Sequence, residues 1–429
     1  PLMPSPQATN PDGTPAFVPI IVQSNPQIVY VVNNGKLQRS SDGGKTYSGV
    51  ALPTTDLTQV SITVTVSPLD TQRIYVTLYG LRNGQGCLPT GADAAPASNI
   101  QPHSASSAQQ GALVKLSGYG PCSEQYTSAS GGGSWSKVHL PVAGVLAATT
   151  TMRTILGFVS APPYTFQAQG SALFAMAGYS GQDGALGGGQ PGIVRSDDGG
   201  ATWRQVNQPP INASSGQSVC DFAAAPSGQT LYAIVDQGCG NAGAPTISLW
   251  RSKDGGANWS QIHTFTNVVE SGMSVAADGT LYIDLPRAQF TSGAFSAGAS
   301  STNTGAGGIP YSALSGGGTI NATPNAMLAS ANEGASFAAA PVRGVSSNTS
   351  IFGPFAILAD GSVVALGTPN GSQSNPDTLY TWKLGASSWQ KVNSSEAGDG
   401  FVYAQTSTVG GQETLYVVTA SGKIVTFAI

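Results

Sequence analysis

Charge is scarce in this chain. Only 9% of its 429 residues are Asp, Glu, Lys or Arg, where roughly a quarter is usual in a globular domain. The formal net charge is −4, and Lys and Arg cluster nowhere. A surface built to neutralise phosphates is thereby excluded, and with it a nucleic-acid partner. Histidine is limited to His103, His139 and His263, which gives nucleophilic Ser–His chemistry little footing. No apolar run approaches the ~20 residues of a membrane helix, so no membrane insertion is expected. C-x-x-C pairs, phosphate loops and the D-x-[DN]-x-[DN]-G calcium spacing are all missing, so neither metal nor cofactor is expected.

Cysteine is also sparse, with four residues. Cys87 and Cys122 flank a long insertion and are expected to staple its base. Cys220 and Cys239 flank a turn at Pro226-Ser227-Gly228, which places them on antiparallel neighbours within disulfide reach. An even count with two local pairings favours an oxidising compartment. The start, Pro1-Leu2-Met3-Pro4, has neither a charged nor an apolar leader region. The expectation is a secreted or cell-surface protein whose signal peptide has been removed.

What the chain has instead is glycine (56 residues) and 40% apolar residues, the composition of a turn-rich all-β protein with a polar, uncharged surface. One stretch organises it. Arg195 to Gln205 reads R-S-D-D-G-G-A-T-W-R-Q; it recurs from Ser40 to Tyr47 and from Ser252 to Trp259. Asp-Gly and Gly-Gly between apolar runs mark a tight hairpin turn, because glycine reaches positive φ at no steric cost. The Asp carboxylate can accept backbone N–H bonds across such a turn, and the closing aromatic can pack between sheets. Internal repetition of this kind signals a repeat architecture.

The pattern S-x-D-x-G-x-T-W resembles the Asp-box of bacterial neuraminidase repeats, a motif of sialidases, xyloglucan-active endoglucanases, sortilin-type receptors and photosystem assembly factors, all β-propellers. Ser196, Asp198, Gly200, Thr202 and Trp203 match it throughout. Ser40, Asp42 and Gly44 form a second copy, and Ser252, Asp254, Gly256 and Trp259 a third. Weaker copies align at Ser128 to Trp135, where Ser130 replaces Asp, at Ser330 to Phe337, where Asn332 does, and at Leu384 to Trp389. The box implies a fold and says little of chemistry.

A second repeat lies beside the first. Seven short strands, each after a turn, carry Tyr30, Tyr75, Phe174, Tyr232, Tyr282 and Tyr416 at one register, with Val364 in the remaining place. Seven such hairpins predict one propeller domain over 1–429 with seven four-stranded antiparallel blades; six blades is the runner-up. The last blade is one strand short, and the N-terminal segment is expected to complete it. The excess length falls mostly between the second and third strands of each blade: 81–111, 178–192, 237–244, 286–326 and 368–378. Such loops leave from the face opposite the boxes and mark it as the binding face. In the second blade, Leu113 to Ser117 competes as the third strand, with 118–127 then inserted on the box side.

The candidate chemistry is acidic. Asp221, Asp236, Glu270 and Asp284 fall where inner strands reach the loop face, and a carboxyl pair about 5–10 Å apart is what glycoside hydrolysis needs. Arg287, Tyr79 and Arg82 are candidate ligand contacts. Against a sialidase proper stand the missing R-I-P motif, box-strand positions for Arg39, Arg195 and Arg251, and glutamates with no evident tyrosine partner. The reading is a non-catalytic binder of a glycan or surface protein. The alternatives are a glycoside hydrolase using those carboxylates and a structural, self-assembling surface or filament subunit.

Overall fold

The computed structural model describes residues 20–22, 25–33, 35–67, 70–83, 122–138, 145–146, 167–169, 172–178, 192–198, 202–211, 217–237, 246–266, 272–284, 327–346, 349–369, 378–392, 400–409, 412–419 and 423–428. Among them there is no helix; all regular structure is antiparallel strand. The chain divides into two compact units, Leu2–Val206 and Asn207–Ile429.

Three sheets make the N-terminal unit, each ordered along the chain. The first is Ile20–Ile21, Val29–Asn33, Lys36–Ser40 and Ser48–Gly49; the second is Leu57–Val66, Ile74–Arg82, Cys122–Ser128 and Ser136–Lys137. The third is Gln167–Gln169, Ala172–Gly178, Gly192–Ser196 and Arg204–Gln205, with Val145–Leu146 also paired to Ala172–Gly178. In the second sheet the third strand is therefore Cys122–Ser128, and the excess residues fall between the second and third strands.

The C-terminal unit holds four sheets. The fourth is Gln217–Ala224, Leu231–Gln237, Thr246–Ser252 and Ser260–Thr266; the fifth is Gly272–Val275, Leu281–Asp284, Met327–Ser330 and Ala338–Ala339. The sixth is Thr349–Ile357, Val363–Pro369, Thr378–Trp382 and Gln390–Val392; the seventh has three strands, Phe401–Val409, Gln412–Thr419 and Ile424–Ala428.

Second strands are buried on both faces where Val29 to Val31, Leu231 to Val235, Leu281 to Ile283 and Val363 to Leu366 run without an exposed residue, so alternation gives way to a continuous apolar run. Along Leu231–Gln237, Tyr232 and Ile234 pack with Met273, Leu281 and Ile283 of the fifth sheet. Tyr282 points the other way, into a cluster with Val363, Tyr380, Trp382 and Trp389 of the sixth. Leu358, Val364, Leu366 and Leu379 of the sixth join Phe401, Leu415 and Val417 of the seventh. Tyr30 and Leu37 of the first join Ile74, Val76 and Tyr126 of the second. In the C-terminal unit the sheets thus stack face to face in chain order, and in the N-terminal unit the first packs on the second. In the C-terminal unit the first strands of successive sheets also adjoin one another.

Candidate functional site

In the first five sheets the turn between the third and fourth strands is locked by its own side chains; in the sixth, Trp382 Nε1 donates to Ala386 O at 3.1 Å instead. In the first sheet, Ser40 Oγ donates to Asp42 Oδ1 at 2.7 Å and accepts the Gly44 amide at 2.8 Å. Asp42 Oδ1 accepts the Lys45 and Thr46 amides at 3.0 and 2.9 Å, and Oδ2 accepts the Thr46 hydroxyl at 2.6 Å. Gly43 and Gly44 sit at φ 73° and 88°, where any other residue would be strained. The third sheet repeats the pattern through Ser196, Asp198 and Thr202; Gly200 lies outside the described residues. The fourth repeats it through Ser252, Asp254, Gly256 and Asn258.

The degenerate copies at Ser128 and Ser330 fold alike. Ser128 Oγ accepts the Gly132 amide at 2.8 Å, and Ser130 Oγ, standing where Asp stands elsewhere, accepts the Ser134 amide at 3.0 Å. Asn332 Oδ1 accepts the Ser336 amide at 2.9 Å, and its Nδ2 donates to the Ser336 hydroxyl at 2.8 Å. These bonds consume the turn carboxylates. Asp42 is held well below the usual carboxylate range, first by the Thr46 hydroxyl and then by the Thr46 amide. Asp254 is lowered to about 2 by the Asn258 amide and side chain. The remaining oxygen capacity is small, and among the described residues no group of three or more His, Cys, Asp and Glu could hold a metal ion.

The turns also join neighbouring sheets. Trp135 Nε1 donates to Ala51 O at 2.7 Å, and Trp259 Nε1 to Asn207 O at 2.7 Å. Arg251 Nη1 donates to the Glu333 carbonyl at 2.7 Å in the next sheet's turn, where Lys253 Nζ also meets the Glu333 carboxylate at 2.6 Å. Arg195 lies over the Phe174 ring at 5.2 Å and pairs with Asp197 at 2.6 Å. Arginine on these strands is therefore engaged with the scaffold.

At the opposite strand ends the chain leaves for its insertions. Third strands run antiparallel to second strands and to fourth strands. Connections from second to third strand must therefore emerge at the end away from the locked turns. In the second to sixth sheets those connections are 83–121, 179–191, 238–245, 285–326 and 370–377. In the first and seventh they are short, between Asn33 and Lys36 and between Thr419 and Ile424.

Of the acidic candidates, Asp236 and Asp284 stand near that end and Asp221 at mid-strand. Asp221 lies within the first strand of the fourth sheet, one residue past a bulge, opposite Ile234, and is 2% exposed. Its Oδ1 accepts the Phe222 amide at 2.8 Å. Burial pushes the carboxyl up to about 7, against the pull of the Phe222 and Met273 amides. Asp284 closes the second strand of the fifth sheet, opposite Gly272, and is 0% exposed. Strand alternation carries Asp221 with Ala223 toward the fifth sheet, and Asp284 with Tyr282 toward the sixth. The two carboxyls thus lie on opposite faces of the fifth sheet, each buried. Asp236 pairs in register with Ser218. Tyr79 pairs with Ser61 and Ser123, and Arg82 with Leu57; for these three, and for Cys122 and Cys220, the backbone alone is described. Glu270, Arg287, Cys87 and Cys239 lie outside the described residues.

One pair escaped the sequence reading. Tyr126 Oη donates to Glu124 Oε2 at 2.8 Å, Thr55 Oγ1 donates to the same oxygen at 2.6 Å, and Lys137 Nζ lies 3.5 Å from Oε1. Glu124, 4% exposed, does have a tyrosine partner. The signal was period-two spacing within Cys122–Ser128, hidden while the third strand of that sheet was in doubt. Its carboxylate is thus held by the scaffold around it.

No family model matches the chain, and no curated protein matches it. Among solved structures it is similar to YCF48 bound to a D1 peptide, with 12% identity over 98% of this chain and 99% of that one at TM-score 0.46. YCF48 from Cyanidioschyzon merolae is similar at 13% identity, 98% and 97% coverage and TM-score 0.46. A GH74 xyloglucanase from Xanthomonas campestris is similar at 14% identity over 94% of this chain and 52% of its own, at TM-score 0.44. Superpositions at this level assign neither blade number nor chemistry. No helix among the described residues is long and apolar enough to cross a membrane.

Proposed function

We propose that the chain is a secreted or cell-surface Asp-box β-propeller of seven blades that binds a glycan or protein ligand without turning it over. The observation that carries this reading is the division of labour along each sheet. Serine, aspartate and glycine are spent on locked turns at one end, while the insertions of the second to sixth sheets leave from the other. Long insertions on one face of a repeat scaffold are where ligands are taken. In this reading the seven sheets are successive blades, and the N-terminal segment supplies the outer strand that the seventh sheet lacks.

Binding is favoured over hydrolysis by the acids themselves. A glycosidase needs two carboxyls flanking one bond within reach of water, whereas Asp221 and Asp284 are 2% and 0% exposed and face different sheets. The test is a glycan array run beside a hydrolysis screen, on the chain, on Asp284→Asn, and on a form with 285–326 cut to a short linker. Expected are array signals lost on shortening, kept in Asp284→Asn, and unaccompanied by cleavage. Cleavage abolished by Asp284→Asn would replace the binder with a hydrolase.

A further inference from the structure

The fourth and fifth sheets meet around an acid that finds no base among the described residues. Asp221, 2% exposed, sits on the first strand of the fourth sheet. It reaches the Met273 amide on the first strand of the fifth. Its Oδ1 is taken by Phe222, and Oδ2 has no hydrogen-bond partner among the described residues. The strands packed against it are Leu231–Gln237 and Gly272–Val275. Their titratable residues are Tyr232 and Asp236, and the next strand adds Tyr282 and Asp284. None of these strands carries Lys, Arg or His. The basic group on Thr246–Ser252 is Arg251, whose guanidinium goes to the Glu333 carbonyl.

A carboxylate buried without a cation keeps its charge only at high cost, and the neutral acid is the form such a place favours. As an acid, Asp221 gains an O–H donor and loses the charge. We propose that Asp221 is a proton-operated joint between the fourth and fifth sheets, closed when the carboxyl is neutral and loosened when it ionises. The consequence is local. Asp221 stands at mid-strand, opposite Ile234, while Met273 stands opposite Ile283, two residues before 285–326 departs, so ionisation would free the base of that insertion first. The joint does not depend on what, if anything, the insertions bind.

The sign follows from the shift. In the unfolded chain the acid ionises near its ordinary value of 3.8, and in the fold it ionises near 7. Its contribution therefore favours the fold most below pH 4, fades as pH rises from 4 to 7, and is constant above. Three pH units correspond to up to about a thousandfold in the folding equilibrium. The experiment compares thermal unfolding of the chain and of Asp221→Asn from pH 4.5 to 8.5, with amide exchange of Met273 followed over the same range. Expected is a stability difference in favour of Asp221→Asn that grows up to pH 7 and then levels, and Met273 exchange in the unsubstituted chain that speeds over that interval beyond base catalysis. A difference independent of pH would overturn the joint. Should Asp221→Asn fail to fold, infrared spectroscopy of the unsubstituted protein decides. A protonated-carboxyl stretch persisting at pH 6 and lost near 7 supports the joint, and its absence at pH 6 refutes it.

Discussion

At the scale of single residues, the locked turns show how much of an aspartate's work other groups can do. Asn332 and Ser130 occupy the Asp position and still accept the amide four residues on. What they lack is charge, and charge matters only where protons compete for it. Asp42, held far below its ordinary range, contributes stability that is present above pH 4 and lost as pH falls through its folded value. Asp42→Asn should therefore keep the turn near neutrality, with Asn Nδ2 donating to Thr46 as Asn332 does to Ser336. It should lower Tm at pH 7 by less than Asp42→Ala, which is expected to lose roughly 2–4 °C. Melting curves from pH 2 to 7 check both: the gap between the unsubstituted chain and Asp42→Ala should close toward pH 2. A gap that stays open in acid would mean that the carboxylate is not what holds the turn.

At the scale of elements, the links between successive sheets rest on close approach. Gly344, in the connection from the fifth to the sixth sheet, has φ 90°, and a Cβ there would stand 2.1 Å from Trp389 O and 2.8 Å from Trp389 N. The Trp389 amide donates to Arg343 O at 2.9 Å, so backbone meets backbone and neither side can yield. Gly385 has φ 94° with nothing within 4 Å of its would-be Cβ. Gly344→Ala should cost about 3 kcal/mol or more, from strain and overlap together. Gly385→Ala should cost about 1–2 kcal/mol, from backbone strain alone. Denaturant unfolding of both variants checks this, and equal losses would contradict the packing at Trp389.

This is also the scale at which the sequence was most legible. Ser, Asp, Gly and Trp at fixed offsets are local chemistry, so turns at Ser40, Ser196 and Ser252 could be read directly, and the degenerate ones at Ser128 and Ser330 by alignment. The apolar second strands were legible because burial on both faces leaves them unbroken. Pairings between distant stretches were not. That Arg251 reaches the carbonyl of Glu333, or that Tyr126 and Thr55 converge on Glu124, depends on which faces meet after folding. The depth of Asp221 was hidden for a similar reason. A bulge at Cys220 and cover from the fifth sheet decide its burial, and neither leaves a mark on the six residues around it.

At the scale of the whole molecule, the proposed function requires the seven sheets to form one ring, since only then do insertions from both units share a face. A single ring is compact. For a chain of 429 residues a compact fold has a radius of gyration of about 22 Å. Small-angle X-ray scattering measures this directly on the intact chain in solution. The ring predicts a value near that figure and a pair-distance distribution with one maximum. A markedly larger radius with two separated maxima, the mark of two units held apart, would contradict it.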